Sequence, residues 1–213
     1  QSGRQELGPV TAISYFGHKH GSAIRIVNDK PNWQGVEIHY TVTSTAADAK
    51  AILGIRGLSY HYLVDRNGTV TKLIEPTHAA YHGGASSAGS TNHTNIGISL
   101  VSLGHDAQDN IQTSIGNRSL PKIPYESWVA HSSAGSMKWE PYPSRQMDGL
   151  IGLIKELKGT YPTIARISGH EDNPGKNKTD PGPEFDWTKV TTATGLPHLG
   201  GKDGSWQPTQ KYS

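Results

Sequence analysis

The chain has no cysteine, only two phenylalanines and two methionines, and no window approaching the ~20 apolar residues that a membrane span requires. The missing cysteine excludes thiolate metal sites, cysteine nucleophiles and disulfide staples, though it leaves the redox compartment open. Any metal must therefore be held by nitrogen and oxygen. A surplus of basic charge is missing too: 20 Lys and Arg against 18 Asp and Glu give a formal +2, with no long basic run. Nucleic acid is not an expected partner for such a balance. The start, Gln1-Ser2-Gly3-Arg4, lacks the apolar stretch of a signal peptide, but a processed precursor would look the same.

What is present is loop-forming. The 213 residues suit one ordinary domain, and the 25 glycines and 13 prolines exceed the about 15 and 11 of an average chain this long. Residues 1–35 read as an N-terminal arm packed on the core, with a short strand at Ala23 to Val27. From Val36 to Thr41 the pattern alternates, placing Val36, Ile38 and Tyr40 on one face and Glu37, His39 and Thr41 on the other. Ser44 and Thr45 offer caps for a helix from about Ala46 to Ile55, stopped by Gly57. Tyr60 to Val64 and Thr69 to Ile74 flank Asn67-Gly68 and read as a hairpin, and Ile96 to Val101 as a further strand.

Residues 102–143 are polar and irregular, a long insertion expected to border the site. Met147, Leu150, Ile151, Ile154 and Leu157 then mark a core-facing helix from about Ser144 to Gly159. Ile164 to Ser168 reads as a last strand. After Trp187 no periodicity is visible, and residues 188–213 are assigned to a C-terminal tail. The expected class is α/β: a single domain with a central mixed sheet flanked by helices, with long loops. A monomer is expected.

Chemistry concentrates in Gly169 to Pro183, where His170, several carboxylates and two lysines share a proline-stiffened loop. A helical His-Glu-x-x-His site is excluded because Pro174 follows four residues after His170. A metal would join His170 and Asp180 to a ligand from elsewhere, with His39, near a strand end, the natural candidate. Two imidazoles and a carboxylate leave a fourth tetrahedral position for water, as in catalytic zinc sites. The loop alone also admits a plain surface turn in which Asp172 and Asp180 cap backbone N–H groups.

The sequence resembles the type 2 N-acetylmuramoyl-L-alanine amidases, zinc hydrolases that include phage lysins and share a fold with peptidoglycan recognition proteins. The resemblance spans roughly residues 36–187 and rests on blocks in the family's order: Ile38-His39-Tyr40-Thr41, Ser59 to Gly68, Ala80-Tyr81-His82-Gly83-Gly84, Asn92 to Leu100, and Gly169-His170-Glu171 through Gly182. It implies His39, His170 and Asp180 as zinc ligands, Lys178 near the scissile carbonyl, and Tyr60 beside the metal. It implies His82 as a cleft-lining, substrate-binding residue, with Tyr81 and Asn95 in the same role. Ser99 stands where the cytosolic, muropeptide-recycling members carry a glutamate, so that general base is missing. Tyr81-His82 replaces the more common Trp-His.

The implied reaction is zinc-dependent hydrolysis of the amide between N-acetylmuramic acid and L-alanine in peptidoglycan. Zinc would activate water and polarise the carbonyl, Lys178 would stabilise the developing oxyanion, and Tyr60, ahead of Glu171, would assist proton transfer. Tyr81, Trp128, Trp139 and Tyr142 are candidate aromatic faces along the cleft, with plain surface or satellite packing an equal alternative for each. The implied place of action is the cell envelope, periplasmic, extracellular or phage-delivered, as in a cell-wall-degrading lysin. The competing reading is a recognition domain that binds peptidoglycan without cutting it.

Overall fold

A computed structural model of the chain describes residues 32–86, 89–106, 114–115, 118–119, 127–130, 137–173 and 177–199. The arm's proposed strand at 23–27 and the tail beyond residue 199 lie outside these residues. Strands β1 (Gly35–Tyr40), β2 (Tyr62–Val64), β3 (Val70–Lys72), β4 (Asn95–Leu100) and β5 (Arg166–Gly169) form one sheet in the order β5-β1-β4-β2-β3. All neighbours are parallel except β2 and β3, the hairpin read from Asn67-Gly68. Helices α1 (Ala46–Arg56), α2 (Ser144–Thr160) and α3 (Trp187–Thr194) cover it. The expected class, a mixed sheet flanked by helices, is the observed one.

The alternation of β1 decides what each face does. Val36 and Ile38, with Ile96, Ile98, Leu100, Tyr62, Val64 and Ile167, meet the α2 stripe of Met147, Leu150, Ile151, Ile154 and Leu157, and Val190 of α3. This is the main core; each fully buried Leu or Ile in it contributes roughly 1.5–3 kcal/mol. On the opposite face α1 packs Ala49 and Leu53 against Leu63, Leu73, Ile74 and Ala80, over the hairpin end of the sheet only. The opposite face of β1, β4 and β5 is left to polar side chains.

Local chemistry sets the element ends. Thr45 caps α1 by accepting from the Asp48 N–H at 3.1 Å, and Gly57 closes it in a left-handed conformation (φ 64°). The hairpin turn packs directly on α2: Gly68 (φ 88°) lies so close to Gly149 that a Cβ on Gly149 would sit 2.4 Å from the Gly68 carbonyl oxygen. The buried Gln146 amide donates to the Val64 and Val101 carbonyls (2.9 and 3.0 Å), fastening α2 where β2 and β4 end.

Two details differ from the sequence reading. The α2 helix runs through Gly159 to Thr160, because at Gly159 nothing crowds the exposed last turn and Tyr161 N–H still reaches the Leu157 carbonyl at 2.7 Å. Beyond Trp187, where no periodicity was visible, Asp186 caps α3. The chain then returns along β5: Ile167 N–H donates to Pro197 O and Leu199 N–H to Ile167 O, both 3.0 Å, which closes the edge strand. His198 stacks on Trp187 at 3.6 Å and bonds Asp172 at 2.7 Å.

His61, fully buried, holds β2 to β4 through its ring. Its Nδ1 accepts from Gly97 N–H (3.0 Å) and its Nε2–H donates to the His78 carbonyl (2.8 Å), so the neutral ring is fully satisfied. Burial pulls its pKa down from 6.5 to about 3, with neighbouring His82 adding to the effect. A lowered folded-state value means the unfolded chain binds the proton more readily. The His61 contribution is therefore complete above pH 6.5 and lost progressively as pH falls toward 3. Near pH 5 this should cost about 2 kcal/mol. Ring NMR should show His61 neutral down to pH 4; titration near 6.5 would contradict the burial argument.

Candidate metal centre

Parallel pairing brings the polar residues together. In the β1–β5 register Ile38 lies opposite Gly169, so the next residues out, His39 and His170, leave neighbouring strands side by side at the carboxyl end of the sheet. On the other flank His39 pairs with Ser99 of β4. Their imidazole centroids are 4.6 Å apart. Asp180 arrives from the late loop, with its Oδ2 3.0 Å from His39 Nδ1 and 3.1 Å from His170 Nδ1. All three residues are buried.

The loop carrying Asp180 is fixed from several sides. Its carbonyl accepts from Glu171 N–H at 2.8 Å, and Thr179 Oγ1 meets the Tyr40 hydroxyl at 2.5 Å. The Tyr142 hydroxyl donates to Pro181 O at 2.7 Å, and Trp139 lies against Gly182, where a Cβ would approach the indole to 2.4 Å. The aromatic residues expected to face substrate thus have another use: Trp128 and Trp139 are buried, and Trp139 and Tyr142 support the ligand loop.

His39 also belongs to a second group. Its Nε2 is 3.3 Å from Glu37 Oε1 and 3.1 Å from His82 Nδ1. Among the described residues, Glu37–His39–His82 and His39–His170–Asp180 are both arranged as possible metal sites. Glu37 is fully buried, with Asn173 Nδ2 donating to it at 3.3 Å. Burial pushes its carboxyl up, but the His39 and His82 rings beside it outweigh this and hold it well below the usual range. Burial likewise raises the Asp180 carboxyl, and His170 and His39 overturn that effect. For His39 burial acts downward, yet its bonds to Asp180 and Glu37 lift it to about 9. The neighbourhood is one that favours positive charge.

His170 and Asp180 border a cleft of about 560 Å³, lined also by Lys178, Tyr60, His82 and the Ala49–Ile52–Leu53–Arg56 face of α1, with fully buried His39 beneath them. Tyr60 stands with its ring 4.9 Å from that of His39, and burial raises its phenol further above the ordinary value. Lys178 is exposed. The structure brings His39, His170, Asp180, Tyr60, His82 and Lys178 to one place. Tyr81, Glu171 and Asn95 do not line the cleft, and neither does the fully buried His39. Asn95 is buried behind His82, its side chain accepting from Arg166 at 3.1 Å. Glu37, Asn173 and Arg56 went unread as site residues. For Glu37 the signal was there, since it shares the His39 face of an alternating strand.

Residues 29–183 match the family described as N-acetylmuramoyl-L-alanine amidase. The 1,6-anhydro-N-acetylmuramyl-L-alanine amidase AmpD of Enterobacter cloacae is 46% identical over 50 residues, 23% of this chain and 27% of that protein. The N-acetylmuramoyl-L-alanine amidase AmiD of Escherichia coli K12 is 28% identical over 171 residues, 75% of this chain and 52% of that protein. The chain thus spans about half or less of these relatives' lengths. A solved structure of Escherichia coli AmiD with the substrate anhydro-N-acetylmuramic acid-L-Ala-D-gamma-Glu-L-Lys superposes with a TM-score of 0.58 at 27% identity, covering 80% of this chain and 60% of that one.

One cleft residue is strained. Val42, just past β1, has φ 55°, a left-handed conformation that a β-branched side chain rarely adopts. It is held by Thr43, whose N–H donates to Ser102 O and whose hydroxyl donates to Thr41 Oγ1 at 2.8 Å. Such strain costs on the order of 1–3 kcal/mol. Asparagine tolerates this conformation, so Val42→Asn should raise the free energy of unfolding by about 1 kcal/mol in urea titrations. A lower stability would show that the apolar contact of Val42 outweighs its strain.

Proposed function

Because the chain belongs to the N-acetylmuramoyl-L-alanine amidase family, we propose that it hydrolyses the amide between N-acetylmuramic acid and L-alanine of peptidoglycan, with zinc held by His39, His170 and Asp180. The observation that carries this is the convergence of two Nδ1 atoms on one carboxylate oxygen at 3.0 and 3.1 Å. Zinc–ligand bonds of about 2.0–2.1 Å in tetrahedral geometry need ligand atoms about 3.3 Å apart, so these donors fit zinc with little movement. His170 and Asp180 border the cleft, whereas Glu37 of the second group is fully buried and already hydrogen-bonded. We therefore place the ion at the first group. Zinc, when bound, supplies Lewis acidity and an activated water at neutral pH.

The remaining work belongs to side chains of the cleft. Lys178, two residues before Asp180 on the same braced loop, is positioned to stabilise charge developing on the scissile carbonyl oxygen, a role for a compact point charge. Tyr60, protonated at neutral pH, orients the reacting groups by donating a hydrogen bond and assists proton delivery to the leaving amine. It takes this part in preference to Glu171, which does not line the cleft. His82 forms the inner wall. The α1 face offers an aliphatic strip ending in exposed Arg56, suited to a stem peptide that carries both methyl groups and carboxylates. The substrate seen in the Escherichia coli AmiD complex is of that chemistry. Its natural place of action is the cell envelope, on wall polymer or fragments. Among the described residues no helix is long and apolar enough to cross a membrane.

The purified protein should contain about one zinc per chain, and Asp180→Ala should lose the metal and the activity together. Lys178→Ala should keep the zinc and lose about 10²–10³ in kcat, the range for removing an oxyanion donor. Mass spectrometry of digested peptidoglycan should show free N-terminal L-alanine; cleavage within the stem peptide would overturn the assignment.

A further inference from the structure

Glu37 raises a question that the proposed reaction does not answer. A fully buried carboxylate is costly unless it is paired, and among the described residues Glu37 meets the His39 ring, the Asn173 amide and, at 3.6 Å, the His82 ring. No lysine or arginine is among them. The site around it is closely built. Thr91 and Glu37 leave no room for a Cβ on Gly83, and Gly97 is required because a Cβ there would meet the His82 ring at 2.5 Å. The Asn92 side-chain oxygen accepts from both His82 N–H (3.0 Å) and Gly83 N–H (2.8 Å), which holds the His82 backbone in place.

The hydrogen bonds in this site have a direction. A peptide carbonyl can only accept, so the 3.1 Å contact between Asn95 O and His82 Nε2 places the His82 proton on Nε2. The buried, neutral His82 then has a lone pair on Nδ1, 3.1 Å from His39 Nε2. That contact is a hydrogen bond only if His39 carries its proton on Nε2. Glu37 Oε1, 3.3 Å from the same nitrogen, accepts from it as well. With one proton held on Nε2, the other, which Nδ1 shares with Asp180 Oδ2 at 3.0 Å, is the one a metal ion displaces, leaving the Nδ1 lone pair to the ion.

We propose that Glu37 and His82, with the Asn95 carbonyl behind them, are positioning residues that fix the tautomer and ring orientation of His39, so that Nδ1 faces the metal as a ready donor. The inference rests on reading His39, His170 and Asp180 as the zinc ligands. It gives a use to the buried carboxylate and to Asn95, whose backbone acts at a distance from the substrate. It also fits the β4 sequence: Ser99 sits beside His39 and brings no carboxylate there, so the carboxylate behind the ring comes from two residues back on its own strand. Partners of this kind raise the basicity of a metal-bound imidazole, and their removal typically costs ten- to a hundredfold in metal affinity.

Long-range proton–nitrogen NMR on the zinc-loaded, histidine-labelled wild-type protein reads the tautomers directly. The expected result is a proton on Nε2 in both rings, with His39 Nδ1 shifted by the metal. A proton on His82 Nδ1, or metal at His39 Nε2, overturns the proposal without any variant. In chelator competition Glu37→Gln, which keeps the side-chain shape, should bind zinc at least tenfold more weakly, and His82→Phe, which removes the acceptor, should also weaken it. Zinc affinity equal to wild type in both, with only the thermal midpoint of the metal-free protein lowered, would show a merely structural role and overturn it. Failure of the wild type itself to bind zinc would instead remove the underlying reading of the metal ligands.

Discussion

The parallel register of β1 between β5 and β4 is the constraint from which the site follows. It sets Ile38 against Gly169 and His39 against Ser99, so His39 comes from a strand and His170 from the residue just beyond its neighbour. Parallel strands end at the same edge of the sheet, where ligands are commonly bound in such folds. A slip of one residue would turn His39 into the apolar core and Ile38 toward the cleft. The register is protected by what it buries: Val36, Ile38, Ile96 and Ile98 all lie at 0% exposure against α2. Core packing and ligand placement are therefore two consequences of one alternation.

The sheet edge supplies His39 and His170 but not Asp180. Asp180 depends on a loop, and the chain spends much of its aromatic content holding that loop still. Tyr40 reaches it from the end of β1, and Trp139 and Tyr142 from the stretch just before α2. Val42, which lines the cleft just beyond the strand that carries His39, keeps an unfavourable backbone conformation. Local strain of this kind is characteristic of sites where geometry is held against its own preferences.

Much of this was legible in the sequence where one residue type had one physical reading. The Val36 to Thr41 alternation, the Asn-Gly turn, the Thr45 and Gly57 caps and the α2 stripe all follow from local chemistry. So did the meeting of His39, His170 and Asp180, through the resemblance and not through periodicity. The long-range pairing of β1 with β5 was not legible, because nothing local in Arg166 to Gly169 names its partner. Helix α3 was missed because Trp-Thr-Lys-Val-Thr-Thr-Ala-Thr is rich in β-branched residues and turns only Val190 and Thr194 into the interior. Glu37 was visible only as a polar residue on an alternating strand. That it lies sealed beneath two imidazoles required the Gly97 and Gly83 contacts, which no spacing reveals. The insertion aromatics stayed open between a substrate face and packing for a related reason: a tryptophan in a polar loop admits both until the backbone it packs against is known.

The central claim is that three residues separated in sequence converge on one ion at the cleft face of His39. The most direct measurement is anomalous diffraction at the zinc edge from crystals of the zinc-loaded protein. The account predicts a single peak within bonding distance, about 2.0–2.2 Å, of His39 Nδ1, His170 Nδ1 and an Asp180 oxygen. A peak lying instead between Glu37, His39 Nε2 and His82 would contradict it, as would none near His39.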